Sequence, residues 1–160
     1  MQALVLLLAA GAIGCTPDTP EEYIRVGGGG FVFNYRIAEA TAGVVAEPAR
    51  TLEPGTVIEA TFEDPAGGDP IVVAKQTTPD RKRYSFVTPP LDAIEADRTY
   101  RVTVRVLDTE GTVLQTVDYN LRSEIDQSIL PEKPLTIGPG YTRNPEAPPL
   151  FADKPQGAVE

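Results

Sequence analysis

The feature that most constrains the fold is an alternation of apolar and polar residues with a period of two, which recurs in short segments along the chain. Successive side chains of a β-strand point to opposite faces of a sheet, so this alternation is typical of half-buried strands. The segments follow one another about every ten residues, and Pro, Gly and Asp residues form turns between them. No window longer than about ten residues has a helical period. The pattern predicts an all-β chain folded as a single antiparallel β-sandwich of about seven strands.

The predicted strands differ in how they are buried. The run Ile71–Ala74 is continuously apolar and indicates a more buried strand, whereas the last segment alternates but is interrupted by Gln115. Before the first segment stand four glycines, Gly27–Gly30, which are either a flexible hinge or a strand packed closely against a neighbour. We interpret the four glycines as a flexible hinge, so the predicted sandwich domain spans residues 31–122. The predicted strands lie at 31–38, 44–46, 58–63, 71–74, 84–87, 100–106 and 113–121.

The start of the chain carries a different signal. Residues 3–14 form a run of twelve residues without one polar side chain, and Cys15 follows directly. A transmembrane helix needs about 20 apolar residues, so the run is too short to span a membrane. Its length is that of the apolar region of a signal peptide, although Met1-Gln2 lacks the usual positive charge. An ordinary cleaved signal peptide and an uncleaved apolar N-terminus are the alternatives to a lipoprotein signal.

The end of this run, Ala12-Ile13-Gly14-Cys15, resembles the lipobox of bacterial lipoproteins, which has a small residue before an invariant cysteine. The resemblance implies that residues 1–14 are a signal peptide and that Cys15 becomes a lipidated N-terminus anchored in the membrane. It also implies a location on the periplasmic side of the cell envelope, and Thr16 in place of Asp favours the outer membrane. Residues 15–30 are then the lipidated cysteine and a flexible tether, of which 16–22 reach at most about 23 Å.

A second resemblance concerns the segment before the sixth predicted strand. Ile94 stands six residues before Tyr100, which opens a Tyr-x-Val-x-Val sequence. This spacing resembles the crossover into the sixth strand of fibronectin type III domains. It implies a tyrosine corner, in which the Tyr100 hydroxyl bonds backbone a few residues upstream while Ile94 packs in the core. The chain has no Trp, which that family usually carries on its second strand. We therefore expect an immunoglobulin/fibronectin-like architecture and not strict family membership.

The C-terminal part, 123–160, is predicted to be a Pro-rich extended tail. Seven of the sixteen prolines of the chain lie within 131–160, and such sequences favour extended polyproline conformations. Leu135, Ile137 and Tyr141 are apolar residues within it and are the candidate contacts to a partner. The alternatives are a disordered tail and one that folds back on its own sandwich.

The composition limits the chemistry. The net charge of −9 disfavours a nucleic-acid partner. The chain has no His and only one Cys, so the common general base and zinc ligands are missing, and we expect no catalytic residues, metal or cofactor. Three charged clusters remain, and we expect each to be a solvated loop, although each has a functional alternative. Glu63, Asp64 and Asp69 could bind calcium.

Asp92, Glu95 and Asp97 could provide a glycosidase-like pair of carboxylates. The basic tip Arg81-Lys82-Arg83 could bind an acidic partner.

These observations predict a non-enzymatic cell-envelope lipoprotein that serves as a binding or accessory module of an envelope protein complex. One alternative is a carbohydrate- or peptidoglycan-binding sandwich, which would need exposed aromatic rings. The other is a hydrolase that uses carboxylates alone. Fold class by itself decides among none of the three.

Overall fold

The computed structural model describes residues 22–147. The predicted signal peptide, Cys15 and the last part of the tail, 148–160, lie outside the described residues. The described chain forms two antiparallel sheets and a short hairpin, so the predicted all-β class and antiparallel immunoglobulin/fibronectin-like sandwich are confirmed. The strands are β1 (Ile24–Asn34), β2 (Glu39–Pro48), β3 (Val57–Phe62), β4 (Ile71–Gln76), β5 (Tyr84–Val87), β6 (Thr99–Leu107), β7 (Val113–Arg122), β8 (Thr136–Ile137) and β9 (Thr142–Arg143).

One sheet has the strand order β1-β2-β5 and the other β4-β3-β6-β7. The inward side chains of both sheets form one core, because alternate residues of each strand are buried. Burial of each large apolar side chain stabilises the fold by about 1.5–3 kcal/mol. The largest fully buried side chains are Tyr84, Tyr100, Phe62, Phe86, Ile24, Ile58, Ile94, Val44, Val102, Val104 and Val106.

The strand directions define two ends of the sandwich. We call the proximal end the one where β1 begins, together with the loops at 49–56, 77–83 and 108–112. The distal end carries the loops at 35–38, 63–70 and 88–98 and the segment 123–147. Backbone bonds hold the proximal loops together: the amide of Thr77 donates to the carbonyl of Thr56 at 2.8 Å, and that of Ala49 to Tyr23 at 2.9 Å.

The predicted start of the sandwich at Phe31 was wrong, because β1 already begins at Ile24. Gly27–Gly30 therefore belong to a strand and not to a flexible tether. Gly29 pairs with Val44 of β2, and a Cβ atom on Gly29 would lie 2.7 Å from the carbonyl oxygen of Gly43 and 2.8 Å from side-chain atoms of Val44 and Leu121. The glycine is required by the close approach of these neighbours.

Replacing Gly29 with alanine is expected to destabilise the protein by about 1–3 kcal/mol, since the backbone oxygen of Gly43 cannot move aside cheaply. Gly30→Ala is the matched control, because nothing lies within 4 Å of a Cβ atom at Gly30. The control is expected to be neutral or to stabilise by about 0.5–1 kcal/mol. Denaturant unfolding of the two variants measures the difference. Equal stabilities would contradict the close packing at Gly29.

Two smaller expectations also differ from the structure. Tyr35 and Ile37 lie in the turn between β1 and β2 and not on the first strand. β4 is an edge strand with half of its residues exposed, so the continuous apolar run at 71–74 did not indicate deep burial. Among residues 22–147 no helix is long and apolar enough to cross a membrane.

Gln115, the exception in the predicted alternation of β7, has a structural role. Its Oε1 accepts the backbone N–H groups of Tyr23 and Ile24, each at 2.8 Å, and its Nε2 donates to the carbonyl of Ile24 at 3.1 Å. The side-chain amide thus takes the part of a peptide group between β7 and the start of β1. An apolar side chain at this position would leave these backbone groups without their partner.

Candidate functional site

The tyrosine-corner residues lie together at the distal end of the sandwich. Ile94 and Tyr100 are both buried, and the backbone N–H of Glu95 donates to the Tyr100 hydroxyl at 2.8 Å. This is the geometry that the resemblance implies, with the hydroxyl as the acceptor. The ring of Tyr100 packs edge-on against Phe31, with centroids 5.3 Å apart. Ile94 and Tyr100 thus stabilise the fold, and neither offers a reactive group at the surface.

The first part of the tail is bound to this corner. Gln127 accepts the N–H of Ile94 with its Oε1 at 3.0 Å, and its Nε2 donates to the carbonyl of Leu91 at 2.7 Å. Gln127 also opens a short 3₁₀ helix, Gln127–Ile129, which is capped by the Asp126 side chain. The backbone N–H of Ser128 bonds this carboxylate and lowers the pKa of Asp126. The prediction of an extended tail from residue 123 was therefore wrong for this stretch.

The next part of the tail folds back as the hairpin of β8 and β9. Thr136 donates its backbone N–H to the carbonyl of Arg36 at 3.0 Å, which joins the hairpin to the turn between β1 and β2. Asn144, which is buried, holds the base of the hairpin by donating Nδ2 to the carbonyl of Pro134 at 2.8 Å and its N–H to Leu135 at 2.9 Å. Residues 123–147 thus pack on their own domain. A tail that folds back on its own sandwich was one of the alternatives predicted from the sequence.

The three candidate partner contacts are placed differently by this hairpin. Leu135 is half-buried, whereas Ile137 is 48% exposed and Tyr141 is 61% exposed. The guanidinium of Arg36 lies over the ring of Tyr141, 5.4 Å from its centroid. Tyr35, beside Arg36, is also exposed. We call the exposed set Tyr35, Arg36, Ile37, Ile137 and Tyr141 the distal patch.

Two of the acidic groups that suggested calcium are bonded to other groups of the protein. The carboxylate of Asp64 accepts the N–H groups of Ala66 and Gly68, at 3.0 and 3.2 Å. Glu63 accepts from the Arg98 guanidinium at 3.1 Å and from the N–H of Arg101 at 3.0 Å. Within the part of the chain that the structure describes, no group of three or more acidic, His or Cys side chains could hold a metal ion.

The carboxylates of the second acidic cluster each contact a different side chain. Asp97 is paired with Arg122 at 2.7 Å, and Glu95 with Arg98 at 3.4 Å. Asp92 lies 3.4 Å from the side-chain amide of Gln127. The three carboxylates thus turn to three different partners.

A shallow pocket of about 290 Å³ lies at the proximal end, and only part of its lining was predicted from the sequence. Arg81 and Lys82 of the predicted basic tip line it, together with Arg50 and Leu52 from the loop after β2. Arg83 instead pairs with Glu47 at 2.8 Å. Arg50 is separated from Arg81 by about thirty residues, and the only sequence signal that could have joined them is the antiparallel order of the strands.

No protein-family model matches this chain. No curated protein matches it either. Among solved structures the chain is similar to an endonuclease/exonuclease/phosphatase from Beutenbergia cavernae DSM 12333, with a TM-score of 0.34 and 16% sequence identity. That similarity covers 54% of this chain and 21% of the other, so this chain spans about a fifth of that protein's length. A similarity with this TM-score assigns neither a family nor a function to this chain.

Proposed function

We propose that this protein is a lipoprotein of the bacterial cell envelope and that it serves there as a non-enzymatic binding module for an envelope protein. Cys15 would carry the lipid, and the domain would stand on the periplasmic side of the membrane, with the outer membrane favoured by Thr16. The distal patch would be the surface that contacts the partner. The apolar run ending in Gly14-Cys15 supports the anchor.

The observation that carries the proposal is that the two terminal segments enter and leave at opposite ends of the sandwich. The tether would join β1 at the proximal end, while the hairpin with Ile137 and Tyr141 lies at the distal end. A strand of the length of β1, eleven residues, spans roughly 36 Å. A domain anchored through its N-terminus would therefore hold the distal patch away from the membrane, where a periplasmic partner has access to it.

The composition of the distal patch is suited to protein binding. Tyr, Arg and large apolar side chains are the residue types that dominate binding energies at protein interfaces. Ile137 and Tyr141 are exposed on a hairpin whose base is fixed by Asn144. A fixed hairpin loses little conformational entropy when a partner binds, which favours affinity.

The double change Ile137→Ser and Tyr141→Ser tests the patch. We expect it to abolish co-purification of the partner from detergent-solubilised membranes, with partners identified by mass. The free energy of unfolding should change by no more than about 0.5 kcal/mol, because both side chains are exposed. Val113→Ser is the matched control, since Val113 is 46% exposed at the proximal end.

Two results would contradict the proposal. If the double variant keeps every partner, the distal patch is not the binding surface. If it loses its partners together with several kcal/mol of stability, the hairpin acts by supporting its own domain.

Peptidoglycan binding is the second candidate function, favoured by two exposed tyrosines, Tyr35 and Tyr141, at one end of the sandwich. Sedimentation of the unchanged protein with purified peptidoglycan would show that activity, and Tyr141→Ser would remove it.

A further inference from the structure

The proximal pocket concentrates positive charge on an acidic protein. The net charge of the chain is −9, yet the pocket lining includes Arg50, Arg81 and Lys82 against one carboxylate, Asp80. Thr51 and Thr78 add hydroxyl groups to the lining. Guanidinium, ammonium and hydroxyl groups are the donors that bind phosphate oxygens. The chemistry of the pocket is therefore that of a phosphate-binding surface.

Buried and half-buried tyrosines hold the two guanidinium groups in place. The guanidinium of Arg81 lies over the Tyr84 ring at 5.0 Å from its centroid, and that of Arg50 lies over the Tyr23 ring at 5.1 Å. The Tyr84 hydroxyl accepts the N–H of Thr78 at 2.9 Å and donates to its carbonyl at 3.1 Å, which fixes the loop that carries Arg81. Both guanidinium groups are thus held against tyrosine rings, and the loop of Arg81 is fixed by a buried tyrosine.

Two carboxylates near this pocket are held by other partners. Glu47 is paired with Arg83 at 2.8 Å. The backbone N–H groups of Thr112 and Glu110 bond the carboxylate of Asp108 and lower its pKa, so this charge is held within its own turn. Across residues 22–147 the structure gives Arg81 and Lys82 no ion-pair partner. Their charge is available to an anion from outside.

The pocket lies at the end of the sandwich that the membrane anchor would hold. Tyr23, which directly precedes β1, accepts the N–H of Ala49 at 2.9 Å and lines an adjoining pocket with Arg50. Residues 16–22 reach at most about 23 Å. A lipid on Cys15 would therefore keep the proximal end close to the headgroups of its own membrane.

We propose that the proximal pocket binds the phosphate groups of anionic phospholipids in the membrane that carries the anchor. This inference rests on the proposed lipid anchor. Each basic residue near an anionic membrane surface contributes to attraction that fades within about 10 Å in salt. The remaining acidic surface is repelled by the same lipids. The two effects together orient the domain with the proximal end on the membrane and the distal patch outward.

Amine labelling in vesicles tests this orientation. The full acylated protein is reconstituted into vesicles of phosphatidylcholine alone or of an equal mixture with phosphatidylglycerol. An uncharged, membrane-impermeant amine reagent then labels the lysines, and mass spectrometry gives the initial rate at each. We expect labelling of Lys82 to slow by about fivefold or more in the anionic vesicles. Lys133, which is paired with Glu146 at the distal end, is the internal reference and should keep its rate.

A matched pair of variants assigns the effect to the pocket. Arg50→Gln with Arg81→Gln should return Lys82 labelling in anionic vesicles to the rate seen in phosphatidylcholine. Arg143→Gln removes a cation from the exposed distal hairpin and should leave the protection of Lys82 unchanged. High salt should weaken the protection, since it screens surface charges.

Several outcomes would overturn the inference. One is an equal labelling rate of Lys82 in both kinds of vesicle, and another is equal slowing of Lys82 and Lys133. If soluble glycerol phosphate protects Lys82 in phosphatidylcholine vesicles as well as the anionic lipid does, the pocket binds free phosphate and not the membrane. Failure of the proposed anchor is recognised separately, because the protein would then not float with either kind of vesicle.

Discussion

Ile94→Ala is expected to destabilise the domain by about 2–5 kcal/mol, which is a large part of the total stability of a small domain. Ile94 is 1% exposed and belongs to the core at the crossover into β6. Its backbone N–H and carbonyl are both bonded to Gln127, which limits how far the chain can move to fill the cavity. Truncation therefore removes apolar contacts and leaves an empty space.

Ile129→Ala is the matched control for this change. Ile129 is 47% exposed in the 3₁₀ helix at the same end of the sandwich, so its truncation should change the free energy of unfolding by no more than about 0.5 kcal/mol. Denaturant unfolding with circular dichroism compares the two variants. If Ile94→Ala unfolds at the same denaturant concentration as the unchanged protein, the crossover is not packed as described.

The alternation of side chains was enough to predict most strands of the sandwich, because each of them buries one face against the same core. The signal failed where the side chains are missing. Gly27–Gly30 have no side chain to alternate, so they resembled a hinge although they pair with β2. The neighbours that require glycine at Gly29 are Gly43, Val44 and Leu121, all distant in sequence. Gln115 interrupted the pattern because its amide replaces a peptide group.

The candidate surfaces were less predictable than the fold. The sequence identified Ile137 and Tyr141 as apolar residues in a polar tail, but their hairpin is placed by a bond between Thr136 and Arg36, a hundred positions earlier in the chain. Arg81 and Lys82 were recognised as a basic tip, whereas their joining with Arg50 depends on how the loops meet. Long-range contacts of this kind leave no local pattern in a single sequence.

Changing Cys15 to serine is expected to move the protein from the membrane fraction to the soluble periplasm, or to leave it as unprocessed precursor. Serine lacks the thiol to which the lipid would be attached. Acyl chains contribute about 0.8 kcal/mol for each buried CH₂, so an anchor of two or more chains holds firmly and its loss changes the distribution almost completely. Thr16→Ser is the control and should stay with the membrane. A Cys15→Ser protein that is still processed and membrane-bound would require a different anchor.

The mass of the N-terminal peptide of the protein extracted from membranes in detergent tests the lipid anchor most directly. We predict that this peptide begins at Cys15, continues with Thr16-Pro17, and is heavier than the unmodified peptide by lipid groups on the sulfur and the amine. A peptide that still contains residues 1–14, or one that begins at Cys15 with a free thiol and a free amine, would contradict the proposal that this domain is a lipoprotein.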